Sequence, residues 1–153
     1  MISAILISIA VFLTACSGAV FKPGEWYLSL KKPFWTPPGW AFPVVWTILY
    51  IMIAYSGWIV WQAQGFGPAF ALWVLQLFLN GAWSWLFFGR RRMDQAMLDV
   101  SAMWIMIVAY IILTLPVSSL AALLFLPYLV WVTIAAALNW RVWRMNPDVG
   151  LPQ

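Results

Sequence analysis

Five apolar runs, each about as long as a bilayer is thick, leave this chain one kind of fold. They cover residues 2–21, 41–61, 69–88, about 95–115 and about 118–140. An α-helix rises 1.5 Å per residue, so roughly 20 apolar residues cross about 30 Å of hydrocarbon. In that solvent every backbone N–H and C=O must be paired within the segment, which a helix achieves and an irregular chain does not. The spacers are short. Residues 22–40 form a Pro-rich polar loop, 62–68 a Gly/Pro connection, Gly89-Arg90-Arg91-Arg92 an abrupt polar stop, Pro116 a tight turn and 141–153 a tail. The 153 residues therefore read as one all-α integral membrane domain, a five-transmembrane-helix bundle. With 65% hydrophobic and 8% charged residues, the chain lies far from a soluble domain, which is about 45–50% apolar and 25% charged.

The first run has two competing readings. A cleaved signal peptide needs a basic segment ahead of its apolar stretch, and no Lys or Arg precedes this one. Leu13-Thr14-Ala15-Cys16 resembles a lipoprotein processing site, but the same basic segment is missing. The run is read as the first helix.

Charge sets the expected orientation. With five spans, the loop 22–40, the stop 89–94 and the tail share one side of the membrane. They carry Lys22, Lys31 and Lys32, then Arg90, Arg91 and Arg92, then Arg141 and Arg144, all 8 cations of the chain. The positive-inside rule places that side in the cytoplasm, with the N-terminus outside and the C-terminus cytoplasmic. The net charge of +4 is explained by topology. Nucleic-acid binding would need a clustered, solvent-facing basic patch, so no nucleic-acid partner is expected; the lipid bilayer is.

The chain contains no His and one Cys, Cys16. Metal sites built on His, Ser-His-Asp or Cys-His catalysis and internal disulfides are thereby excluded. No metal site is expected, and no acid-base catalytic machinery.

Thirteen Trp remain to be placed. Trp58, Trp61, Trp73, Trp140 and Trp143 lie near run ends, where Trp anchors at headgroup level. Trp46, Trp104 and Trp131 fit a belt less well; Trp131 lies about ten residues, roughly 15 Å, from either end of its run. An indole N–H at that depth needs a partner, between helices or in a cavity. Trp46 and Tyr50 share a helical face, as do Trp131, Ala135 and Asn139, and as do Gln76, Asn80 and Trp83. The amides Gln76, Asn80 and Asn139 either knit helices together by hydrogen bonds or orient a ligand in an aromatic-walled cavity. Asp99 stands early in the fourth run, where a helix N-terminus and the nearby Arg90–Arg92 favour a carboxylate. Trp26, Trp35 and Trp40 in the loop 22–40 suit a structured lid that uses them as packing anchors; a membrane-surface anchor is the competing reading.

These residues resemble the TspO/MBR family, the tryptophan-rich sensory proteins and the translocator protein or peripheral-type benzodiazepine receptor. The resemblance rests on Trp26-Tyr27, Lys32-Pro33-Phe34-Trp35-Thr36-Pro37-Pro38 and Pro43-Val44-Val45-Trp46-Thr47-Ile48-Leu49-Tyr50. It continues through Asn80-Gly81-Ala82-Trp83, Phe87-Phe88-Gly89, Leu98-Asp99, Pro127-Tyr128-Leu129-Val130-Trp131 and Leu138-Asn139. It implies a five-helix bundle that binds porphyrins such as protoporphyrin IX, in a pocket open to the cytoplasmic side under the first loop. Ligand-binding residues implied are Trp35, Trp46, Tyr50, Asn80, Trp83, Asp99, Trp131, Ala135 and Asn139. It also implies a homodimer through the third helix, residence in a bacterial cell membrane and, for some members, binding of cholesterol and benzodiazepine-type drugs. Two departures bear on the last point: Trp140 stands where the sterol motif has Tyr, and Gln95 stands where some relatives have a pocket Trp. Gly81 is followed four residues on by Trp85, so no small-xxx-small dimer motif appears.

The functional expectation is a membrane receptor or sensor for tetrapyrroles, modulating porphyrin metabolism or a stress response. No cofactor is required; protoporphyrin IX or haem is ligand, with no His to hold haem iron. The alternatives are light- and oxygen-dependent porphyrin degradation, with Trp46 and Trp131 as its candidate catalytic residues, and transport of tetrapyrrole or sterol.

Overall fold

A computed structural model describes residues 2–149; the last four residues of the tail, with Pro152, lie outside the described residues. Each apolar run is helical. In chain order the helices are α1 (Ile2–Val20), α2 (Glu25–Ser29), α3 (Ala41–Gln64), α4 (Pro68–Ser84), α5 (Met93–Thr114), α6 (Ser119–Leu124) and α7 (Leu126–Met145). α4 runs on into a π-helical turn, Trp85–Gly89. Among the described residues five helical stretches are long and apolar enough to cross a membrane: α1, α3, α4 with its π turn, α5, and α6 with α7. The chain is a multi-pass membrane protein.

Three features differ from the sequence reading. The loop 22–40 contains a helical turn, α2. The last span continues to Met145, past the expected end at 140. That span is also broken, at Phe125, because Pro127 has no N–H to give to the carbonyl one turn back. The backbone tightens there, and the Phe125 N–H bonds the Ala122 carbonyl at 3.1 Å instead of continuing the α ladder. The Ala121 carbonyl, which Phe125 would have bonded in a continuous α-helix, takes the Ser56 hydroxyl at 2.8 Å. Since Ser56 has one hydrogen, the Tyr110 hydroxyl donates to Ser56 Oγ, also at 2.8 Å. The break thus ties α3, α5 and α6 together in the interior.

The bundle closes through side-by-side packing of α4 on α5 and α5 on α7, with α1 against α3 and α4, and α6 between α3 and α5. One crossing is set by a glycine. A Cβ on Gly57 would lie 2.4 Å from Trp73 Cε2 and Nε1, so only Gly lets the indole lie flat on α3. Trp73 Nε1 then donates to the Ile53 carbonyl at 2.9 Å. Trp73 is only 1% exposed, so it is a core residue rather than the interfacial anchor its position suggested. Trp61 is half-buried, edge-on to Phe70 at 4.9 Å, and Trp58 stacks on Tyr55. Trp140 is exposed, as a belt residue should be.

Candidate functional site

α3 packs closely on α6 but its backbone stands off from α7, and aromatic side chains fill the space between. From α3, Phe42 meets Trp131 edge-on at 5.6 Å, and Trp46 meets Tyr128 edge-on at 6.1 Å. Trp46 also stacks on Tyr50, with ring centroids 5.3 Å apart. The rows exist because Phe42, Trp46 and Tyr50 recur every four residues on one helix, and Tyr128, Trp131 and Ala135 every three or four on the other.

A polar string runs behind these rings. The Tyr50 hydroxyl donates to Asn80 Oδ1 at 2.8 Å, Asn80 Nδ2 donates to the Tyr128 hydroxyl at 2.9 Å, and that hydroxyl donates to Met103 Sδ at 3.3 Å. Four helices, α3, α4, α5 and α7, meet in it. A second link lies toward the end of the bundle that carries the Lys and Arg residues. Trp83 Nε1 donates to Asn139 Oδ1 at 3.2 Å, and Asn139 Nδ2 donates to the Met93 carbonyl at 2.9 Å. Asn80 and Asn139 therefore both knit helices, and Asn80 does so directly behind the aromatic seam. Gln76 does neither: its Nε2 donates within its own helix to the Trp73 carbonyl, and its buried Oε1 has no hydrogen-bond partner.

The structure brings together Trp46, Tyr50, Asn80 and, through Phe42, Trp131. Trp83 and Asn139 form the adjoining pair, and Ala135, half-buried, lies on the α7 row between Trp131 and Asn139. Asp99 does not pair with the arginines: Arg92 grips Asp94 instead, Nε to Oδ1 at 2.9 Å. Asp99 Oδ2 is buried without a partner, one helical turn from Met103. Trp35 is exposed and joins none of these aromatic pairs. Trp104, the third deep tryptophan, lies outside the seam and donates to Thr133 Oγ1 at 2.9 Å. It walls a shallow groove of about 400 Å³ between α5 and α7, with Ser101, Ile105, Thr133 and Ala136.

The loop 22–40 is held at one end of the bundle by a second aromatic cluster. Trp83 stacks on Phe87 at 5.1 Å, and Tyr27 lies edge-on to Phe88 at 5.4 Å. Trp26 is edge-on to Phe87 at 6.0 Å. Phe87 shares a helical face with Trp83 at i, i+4, and the wider π turn brings Phe88 beside Trp83 as well, at 5.7 Å. Burial holds the Tyr27 hydroxyl above its ordinary pKa, and Lys32 Nζ sits 4.7 Å over its ring. Of the three loop tryptophans only Trp26 anchors the loop by packing; Trp35 and Trp40 are exposed, which corrects the expectation for both.

Two residues not among the expected ligand-binding residues complete the picture. Tyr128 is the hub of the polar string and is fully buried. Asn146, in what read as a tail, clamps the loop: Lys31 N–H donates to its Oδ1, and its Nδ2 donates to the Lys31 carbonyl, both at 3.0 Å. Asparagine immediately after a helix, with an amide able to mimic a strand partner, is the only local sign of it.

The family model described as TspO/MBR family matches residues 4–144. Protein CrtK of Rhodobacter capsulatus is 41% identical over 147 residues, 90% of this chain and 92% of that protein. A tryptophan-rich sensory protein of Cereibacter sphaeroides is 41% identical over 140 residues, 88% of this chain and 89% of that protein. The human translocator protein is 39% identical over 137 residues, 84% of this chain and 81% of that protein.

Proposed function

The chain belongs to the TspO/MBR family, and we propose that it is a membrane receptor or sensor that binds a tetrapyrrole of the protoporphyrin IX type between α3 and α7. The observation that carries this reading is the seam itself. Two helices of the bundle are held apart by edge-on aromatic pairs, Phe42 with Trp131 and Trp46 with Tyr128. A flat macrocycle entering there exchanges edge contacts for face contacts, each pair worth roughly 0.5–1.5 kcal/mol beyond area burial. Asn80, bonded to Tyr50 on α3 and Tyr128 on α7, holds the two walls at fixed spacing, which limits the ordering cost of binding.

In this reading the Lys- and Arg-bearing end faces the cytoplasm, the N-terminus lies outside, and the membrane is a bacterial cell membrane. The propionates of the ligand leave through that end, where cations pair with carboxylates by charge-assisted hydrogen bonds. The protein dimerises through α4, whose exposed row of Val74, Leu75 and Phe78 is free for a second copy. Sterol is a further candidate ligand, and so is haem, bound by stacking with no His to hold its iron.

The test is a titration of the purified protein with protoporphyrin IX in dim light, read by tryptophan fluorescence, beside the Trp46→Phe/Trp131→Phe variant. Saturable quenching at micromolar ligand or below, weakened in the variant, is the expected result. Quenching no more saturable than that of an unrelated Trp-rich membrane protein refutes the proposal. Light-dependent porphyrin degradation is the second reading, favoured by the stacking of oxidisable Trp46 on Tyr50. Illuminating the same samples separates it: a new absorbing product in the wild type, absent from the variant, moves degradation to first place.

A further inference from the structure

The first half of the loop 22–40 packs its rings on the protein, and the second half turns its large rings outward. Trp26 and Tyr27 pack on Phe87 and Phe88, Leu30 is buried, and Asn146 clamps the Lys31 backbone. Beyond that clamp the chain displays large apolar rings. Phe34 is 101% exposed and Trp40 71%, with Trp35 exposed between them. Two bare aromatics of this size in one short segment mark an interaction surface.

Helical register says what that surface faces. Trp40 already has helical backbone angles, φ −68° and ψ −24°. It heads a row with Val44, Ile48, Ile51 and Tyr55, all exposed on α3 at helical spacing. The lower members of that row belong to a membrane span and can meet only hydrocarbon, so Trp40 stands where the row enters the leaflet. Cations lie on the same loop. Lys22 and Lys31 are exposed, and among the described residues the salt bridge present, Arg92 to Asp94, involves neither.

We infer that residues 34–40 are docked in the adjacent lipid leaflet, with Phe34 and Trp40 at the headgroup–acyl boundary and Lys22 and Lys31 on the headgroups of anionic phospholipids. Aromatic rings with a polar rim prefer that depth, and a juxtamembrane Lys gains from an anionic surface. The loop is then a strap with one end fastened to protein, at the Asn146 clamp, and the other to lipid.

Gly39 offers a reporter position that leaves both rings in place, since a Cβ there meets nothing within 4 Å. A Gly39→Cys chain in a Cys16→Ala background is labelled with a solvent-sensitive dye. It is placed in nanodiscs of phosphatidylcholine, alone or mixed with phosphatidylglycerol. The expected label is quenched by headgroup-level nitroxide lipid and is several-fold less accessible to aqueous acrylamide than the free dye adduct, more so in the anionic discs. Phe34→Ser/Trp40→Ser should return it to water. Lys22→Gln/Lys31→Gln should abolish the difference between the two lipid mixtures without lifting the label. A label open to acrylamide from the outset, or still lipid-quenched after both rings are removed, overturns the insertion. Equal behaviour of the wild-type loop in both mixtures overturns the assignment of anionic headgroups.

Discussion

Gly57→Ala should cost more than almost any other single methyl group added to this protein. The added Cβ would lie 2.4 Å from two atoms of the Trp73 indole, well inside contact distance. Trp73 has no free space to retreat into, being 1% exposed and stacked on Phe70 at 5.1 Å. Overpacking a filled interior costs about 1–3 kcal/mol. Tilting the indole away also strains its hydrogen bond to the Ile53 carbonyl, 2.9 Å long, a net loss of about 0.5–1.5 kcal/mol. The sum is about 1.5–4.5 kcal/mol. Unfolding in detergent micelles, by titration with a denaturing detergent and read by circular dichroism, measures it. The mechanism also predicts coupling: Trp73→Phe is smaller and gives the methyl room. The double variant should therefore be less destabilised than the sum of the single ones by roughly 1–3 kcal/mol. A Gly57→Ala change within 0.5 kcal/mol of wild type, or strict additivity with Trp73→Phe, would refute the reasoning.

Ser56→Ala strands the freed Ala121 carbonyl and the Tyr110 hydroxyl; the same unfolding assay should show a loss of about 1–3 kcal/mol. Asn139→Leu removes links from Trp83 and to Met93. Since side-chain hydrogen bonds between membrane helices average near 0.6 kcal/mol and rarely exceed about 1.7, its cost should stay below about 2 kcal/mol. Asn146→Ala opens the clamp on Lys31. Amide exchange at Lys31 should accelerate by roughly one to two orders of magnitude, as expected for two lost bonds of about 1 kcal/mol each, while exchange in α5 is unchanged. Burial raises the pKa of Tyr27 above 10. Its docking contribution is therefore intact below about pH 10 and is lost as pH rises through the raised value, because the freed loop ionises first. Tyrosinate absorbance should show one residue titrating late in wild type and missing from Tyr27→Phe; an early-titrating Tyr27 contradicts the burial argument.

The spans were legible because lipid leaves the backbone no choice. Once a run is apolar and long enough it must be helical, whatever it packs against. The seam was legible in part for a related reason: Trp46, Tyr50, Trp131 and Asn80 fall on helical faces that a bundle must turn inward. Pro127 breaks the last span, but no local pattern tells that the released carbonyl is taken by Ser56. Trp73 was misplaced because its nearness to a helix end says nothing about what lies across from it, and Gly57 lies sixteen residues away in sequence. Trp35 and Trp40 were misplaced because a large ring in a loop can anchor to protein or to lipid, and composition does not distinguish the two.

What the sequence determined by itself was the number of spans, their helical state and the common side of every cation. These follow from hydropathy, backbone hydrogen bonding and charge, which are properties of segments. What only the tertiary structure decided was pairing. It set which amide meets which hydroxyl, the preference of Arg92 for Asp94 over Asp99, and the fastening of Lys31 by Asn146 from the far end of the chain. Pairing depends on how far apart the helices stand and how they are rotated. In lipid those quantities come from side-chain fit, not from any hydrophobic drive that a linear pattern records.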